Sequence, residues 1–164
     1  MKKSKIAVKN PRAGKIAELA KKTAHKTLVT WGLDCAGRVL PFFEKKYPKD
    51  KRPKAAIEAG RDWVRTGVFS MAVIRKASLN SHAAARNVIY DDVARSAARA
   101  AGQAVAAAHV LAHALAAAAY AATVIRDSVD PSKADAAVKK EREWQYKHLR
   151  NLLDLQDSPS RFQK

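Results

Sequence analysis

Three histidines are the residues of this chain whose spacing could do chemistry. His109 and His113 stand four positions apart in a run that reads as helix, so their imidazoles face the same way. That is the spacing of a two-nitrogen metal pair, and His82, on the apolar stripe of the preceding helix, could face it. Asp34 or Cys35 would complete four ligands around a divalent ion such as zinc. The residues between the pair are Val110, Leu111 and Ala112, so the glutamate of an HExxH helix is absent, and the run offers no other acid or base. The alternative is that His82, His109 and His113 are neutral core groups bonded to Ser78, Tyr120 or a backbone carbonyl, since a buried polar group without a partner is destabilising. No cofactor beyond such a divalent metal is expected.

The second feature is charge. The chain has 164 residues with 32 Lys and Arg against 15 Asp and Glu, a formal net charge of +17. Residues 1–54 hold 16 basic and 4 acidic side chains, +12, and the remaining 110 hold 16 and 11, +5. The excess concentrates in the opening stretch and in a loop carrying Lys45, Lys46, Lys49, Lys51, Arg52 and Lys54, which forms a candidate basic contact patch. Blocks of one sign repel themselves unless they are solvated or meet an anion, so nucleic acid or an acidic protein surface are both candidate partners.

Both features need a scaffold to position them. The chain contains 34 Ala, one Cys and 7% aromatic residues, a composition that favours helix over sheet and excludes a disulfide framework. Punctuation at Pro11, Pro48, Pro53, Gly67, Ser70, Asp91 and Asp130-Pro131 divides it into about six helices, with no strand pattern. The expected architecture is an all-α single-domain bundle over residues 13–156, between a flexible basic tail at 1–12 and a frayed end at 157–164. At its centre a long Ala-rich helix is expected to run from Asp91 or Asp92 to about Arg126. Residues 100–125 lack Asp, Glu, Lys and Arg, but over half are Ala and only six are Leu, Ile or Val. That is too little large aliphatic surface to drive insertion, so a buried helix rather than a membrane span is expected. The start lacks the apolar run of a secretory signal, and with one thiol the expected location is cytoplasmic.

Other chemistries find no support. There is no GxxxxGK, GxGxxG or GxSxG motif, and Cys35 lies on a helix stripe between apolar turns, the setting of an inert thiol. Trp31, Trp63 and Trp144 fall at core spacing rather than as a base-stacking row.

Several spaced motifs do resemble a known family. Residues 31–40 (WGLDCAGRVL), Phe43-Glu44, Pro48, Asp50, Arg52-Pro53, residues 56–59 (AIEA), Arg61, Trp63 and Gly67 make a first block. Residues 81–86 (SHAAAR), 100–102 (AAG), Ala108-His109-Val110, His113-Ala114, Tyr120-Ala121 and Glu143-Trp144-Gln145 make a second. Together, over about residues 28–153, they resemble the small bacterial and archaeal helical proteins described as Imm-5 like putative immunity proteins. The resemblance implies an all-helical, non-enzymatic domain that binds and neutralises a cognate toxin, and it assigns no role to the histidines. Nucleic-acid binding through the basic half, and metal binding through the histidines, stand as the alternatives.

Overall fold

Alanine loses no side-chain entropy on entering a helix, and the computed structural model, which describes residues 10–158, is helical nearly throughout. Seven helices follow one another: α1 (Pro11–Lys21), α2 (His25–Glu44), α3 (Arg52–Thr66), α4 (Met71–Asn87), α5 (Asp92–Ala106), α6 (Ala112–Asp127) and α7 (Ala134–Asp157). A 3-10 turn over Pro131–Lys133 leads into α7, and there is no strand among the described residues. The all-α bundle is as expected. Residues 1–9 of the expected basic tail and 159–164 of the expected frayed end lie outside the described residues. Helix begins two residues earlier than expected, at Pro11, and continues to Asp157.

The helix starts have local causes. The Asn10 side chain accepts the Arg12 N–H at 2.8 Å, Ser70 accepts that of Val73 at 3.3 Å, and Asp91 accepts that of Ala94 at 3.0 Å. Each satisfies an N–H that the first turn leaves without a carbonyl. Pro53 sits in the first turn of α3, and Gly67, at φ 70°, ends it in the left-handed conformation that glycine adopts without strain.

The expected single central helix is not formed. The Ala-rich run reverses at residues 107–111 and returns as α6, packed alongside α5. An unbroken helix from 92 to 126 would be about 50 Å long, far beyond the reach of its 15- to 20-residue neighbours α2, α3 and α4. Folding it back buries both halves. No Gly or Pro marks the reversal; short i to i+3 bonds tighten it, from the N–H groups of Ala108 to Val105 and of His109 to Ala106. The Ala107 carbonyl is met at 2.9 Å by His25 Nε2 from the start of α2. No helix among the described residues is long and apolar enough to cross a membrane.

The core is a small-residue centre with large side chains fitted around it. Fourteen of its buried positions on α5, α6 and the turn between them are Ala. Trp31, Leu33, Val39 and Phe43 of α2, Ile16 of α1 and Leu149 of α7 supply the volume. Backbones come close where side chains vanish: a Cβ at Gly32 of α2 would lie 3.2 Å from the Cα of Ala114 in α6, and one at Gly60 of α3 would lie 2.6 Å from Leu33 Cδ2. Leu33 is fully buried and cannot swing aside.

Two glycine substitutions should therefore act in opposite directions. In Gly14→Ala the new methyl meets nothing within 4 Å, and the gain in helix propensity, up to about 1 kcal/mol, should raise the unfolding midpoint. In Gly60→Ala the overpacking of roughly 1–3 kcal/mol outweighs that gain, and the midpoint should fall. Urea unfolding of the two variants beside the wild type checks both signs.

Candidate functional site

Helix α4 lies antiparallel to α5, clamped by two buried hydroxyls. Ser78 Oγ donates to the Gly102 carbonyl at 2.9 Å and Ser81 Oγ to that of Ala98 at 2.8 Å. His82, one residue on, presses its ring onto Gly102, where any Cβ would lie 2.9 Å from Cε1 and Nε2. Its expected hydroxyl partner Ser78 is thus committed to Gly102, and the buried Nδ1 of His82 has no hydrogen-bond partner. Burial first, then the positive charges of Arg99 and Arg86 and the nearby His113, push its pKa down to about 4, so the ring is neutral at physiological pH.

The reversal after α5 puts the other two histidines on different elements. His109 is exposed in the turn, with Nδ1 3.3 Å from the Ala106 carbonyl oxygen, and His113 opens α6 with Nδ1 2.6 Å from Gln103 Oε1. That contact makes Nδ1 the donor in a neutral ring. Their rings stack with centroids 6.1 Å apart. Burial and His109 lower the pKa of His113. The residues expected to complete a metal set are engaged elsewhere: Asp34 accepts from His148 Nε2 at 2.7 Å and Arg61 at 3.0 Å, while Cys35 is fully buried, its thiol pKa pushed well up by desolvation. Among the described residues no group of three or more His, Cys, Asp or Glu is placed to hold a metal ion. The spacing does bring the rings of His109 and His113 together, although on a turn and the helix after it rather than on one continuous helix.

The basic loop between α2 and α3 divides into two kinds of cation. Arg52 closes a bidentate pair on Asp50, with Nε to Oδ1 at 2.9 Å and Nη2 to Oδ2 at 2.6 Å, and Lys46 reaches Asp91 Oδ2 at 2.9 Å. Lys45, Lys49, Lys51 and Lys54 are exposed and make no ion pair among the described residues. Asp91 also accepts from the Tyr47 hydroxyl at 3.3 Å. One carboxylate therefore caps α5 and ties the basic loop to the α4–α5 turn; the hydrogen bonds it accepts from Ala94, Lys46 and Tyr47 outweigh burial and hold its pKa below the usual carboxylate value.

Across these elements, from the middle of α1 to near the end of α7, residues 18–152 match the family described as Imm-5 like putative immunity protein. The chain belongs to that family. No curated protein and no solved structure matches it.

Within this Imm-5 like domain a buried polar network joins α2, α6 and α7, where the residue pattern had pointed only to Trp144. Arg38 grips Glu141 with Nη2 to Oε2 at 3.0 Å and Nε to Oε1 at 3.3 Å. Gln145 Nε2 donates to the Ala118 carbonyl at 3.0 Å, and its Oε1 accepts from Arg142 Nη1 at 3.0 Å. Trp31 Nε1 donates to the Gln145 carbonyl at 2.9 Å. Burial lowers the pKa of Arg142. The signal was the stripe Val138, Arg142, Gln145, Leu149, whose spacing puts two polar residues in line with two buried ones. Trp144, expected in the core, lies beside the network, half-buried between the Arg38 guanidinium, 3.8 Å from its ring centroid, and the stacked His148 ring.

The state of His82 makes a pH prediction. In the unfolded chain an imidazole takes up a proton near pH 6.5, whereas His82 in the fold does so near 4. Between those values the unfolded state binds more protons, so stability falls as pH falls through that window. Helices α4, α5 and α6 set against it Arg86, Arg99 and His113, none an acid. Melting curves from pH 7 to pH 4 should show a shallower loss of Tm for His82→Gln than for the wild type; parallel curves would place the acid sensitivity elsewhere.

Proposed function

We propose that this domain is a non-enzymatic, cytoplasmic protein-binding module that neutralises a cognate toxin. Its membership of the Imm-5 like family over residues 18–152 carries the reading. The chemistry of the interior fits with it: the buried thiol of Cys35 is held protonated, and Glu141, Arg142 and Gln145 are spent on one another and on the backbone. A neutraliser needs a rigid surface rather than a reactive group, and a fold whose buried polar side chains tie helices together supplies one.

Co-expression tests this directly. A toxic product encoded beside this gene should arrest growth when expressed alone, and growth should return with this chain supplied in trans. If neighbouring genes encode nothing toxic, or if growth does not return, the reading fails.

A second reading rests on Lys45, Lys49, Lys51 and Lys54, four exposed cations without an ion pair among the described residues. Lysines so placed would neutralise phosphates, and each phosphate neutralised adds about −0.9 to the slope of log affinity against log salt. Fluorescence anisotropy of a labelled duplex at low and physiological salt separates the readings. Nucleic-acid function predicts a slope that flattens when the four lysines become Glu, whereas a toxin-binding domain predicts no duplex binding at physiological salt.

A further inference from the structure

Ten large hydrophobic side chains are exposed among the described residues, and seven of them fall within residues 68–90. Val68 and Phe69 precede α4, Met71 and Val73 lie in its first turn, Leu79 at its middle, and Ile89 and Tyr90 after its end, where Tyr90 is wholly solvent-exposed. Two of the other three, Val110 and Leu111, belong to the α5–α6 turn. The Ser78–Gly102 and Ser81–Ala98 bonds set α4 and α5 antiparallel in a register that carries this turn to the start of α4. The inward stripe of α4, Ile74, Ser78, Ser81 and Ala85, is covered by α3 and α5, and among the described residues no other helix packs over the outward one.

The charge on this face has one sign. Between Asp62 and Asp91 there is no acidic residue, and the four cations are Arg65, Arg75, Lys76 and Arg86. Arg75, Lys76 and Arg86 are exposed and make no ion pair among the described residues. This composition differs from that of the loop at 45–54, where the exposed unpaired cations are all Lys and no exposed aromatic accompanies them. Tyr, Phe, Met and Arg are the residues enriched where protein interfaces are desolvated, while Lys is depleted there. A surface lying on lipid would instead show an unbroken apolar stripe along the helix, and here Arg75, Lys76 and Arg86 interrupt it.

We infer that the outward face of α4, from the Val68–Phe69 loop to the Ile89–Tyr90 turn, is where a partner protein docks, and that the partner presents an acidic surface with apolar anchors. The inference rests on the protein-binding reading above and adds the location and the chemistry of the partner. Opposite charge steers the encounter and fixes orientation. Apolar side chains at both ends of a 17-residue helix then supply the buried area.

The test needs no knowledge of the natural partner. A phage-displayed random peptide library is panned on the immobilised wild-type protein, on a Leu79→Glu, Arg86→Glu, Tyr90→Ala variant, and on a Lys49→Glu, Lys51→Glu variant. Every substituted side chain is exposed, and thermal melting verifies that the folds are equal. The wild type and the lysine variant should enrich peptides combining Asp or Glu with aromatic or large aliphatic residues, and on the α4 variant that enrichment should drop about tenfold or more. Failure to enrich, enrichment without acidic residues, or equal enrichment on the α4 variant overturns the inference. So does binding to vesicles of phosphatidylserine and phosphatidylcholine that the α4 variant loses, which would make the occupant lipid. If the α4 variant still restores growth in the co-expression assay, the docking face is elsewhere and neutralisation stands. If panning succeeds and the wild type itself fails to restore growth, the face stands and the toxin reading falls.

Discussion

Everything in this fold depends on how closely α2 can lie on the α5–α6 pair. A methyl group removes little apolar surface from water, so a centre built of Ala cannot hold itself together as Leu or Phe would. It can let backbones approach closely, and that proximity is what the larger residues exploit. Gly32 sits against Ala114 with no room for a side chain, and the same helix delivers Trp31, Leu33, Val39 and Phe43 around the Ala centre. The small residues set the spacing and the large ones from α2 fill what remains.

The polar interior follows from that spacing. Helices this close leave little room for water, so the polar side chains in the seam meet each other or the backbone, although the buried Nε of Arg142 finds no partner among the described residues. Gln145 reaches across to the Ala118 carbonyl of α6, and Trp31 of α2 donates back to the carbonyl of Gln145. Arg38 spans from solvent to the buried Glu141, bringing that carboxylate the charge it needs. The histidine on α4 obeys the opposite rule: His82 has cations rather than an anion around it, and its neutral form is what the packing tolerates.

Features governed by neighbouring residues were legible in the sequence. Ser70 and Asp91 as caps, Pro53 in a first turn and Gly67 as a stop each act through atoms a few residues away, and the helical composition needed no contact map. The reversal at 107–111 was not legible, because the determinants lie outside it. Ala, His, Val and Leu would continue a helix; His25, about 80 positions earlier, and the surface of α2 decide otherwise. For the histidine pair the proximity was legible and the setting was not: the rings of His109 and His113 stack 6.1 Å apart, but across a turn and the helix after it rather than along one helix. Two of the six residues in the basic patch are held by carboxylates, Arg52 by Asp50 two positions before it and Lys46 by Asp91, and a run of like charges does not disclose that second partner, 45 residues away. The exposed face of α4 was hidden because Met71 and Ile89 fall at the helical spacing of the buried Ile74, Ser78 and Ala85.

The turn without Gly or Pro has an outcome for how the chain is made. Its residues carry no local instruction to reverse, so the instruction must already exist in space when they need it. Synthesis runs from the N-terminus, and α2, ending at Glu44, leaves the ribosome more than sixty residues ahead of the reversal at 107–111. The template is made before the segment it shapes, so the turn can form against α2 as soon as its residues are synthesised.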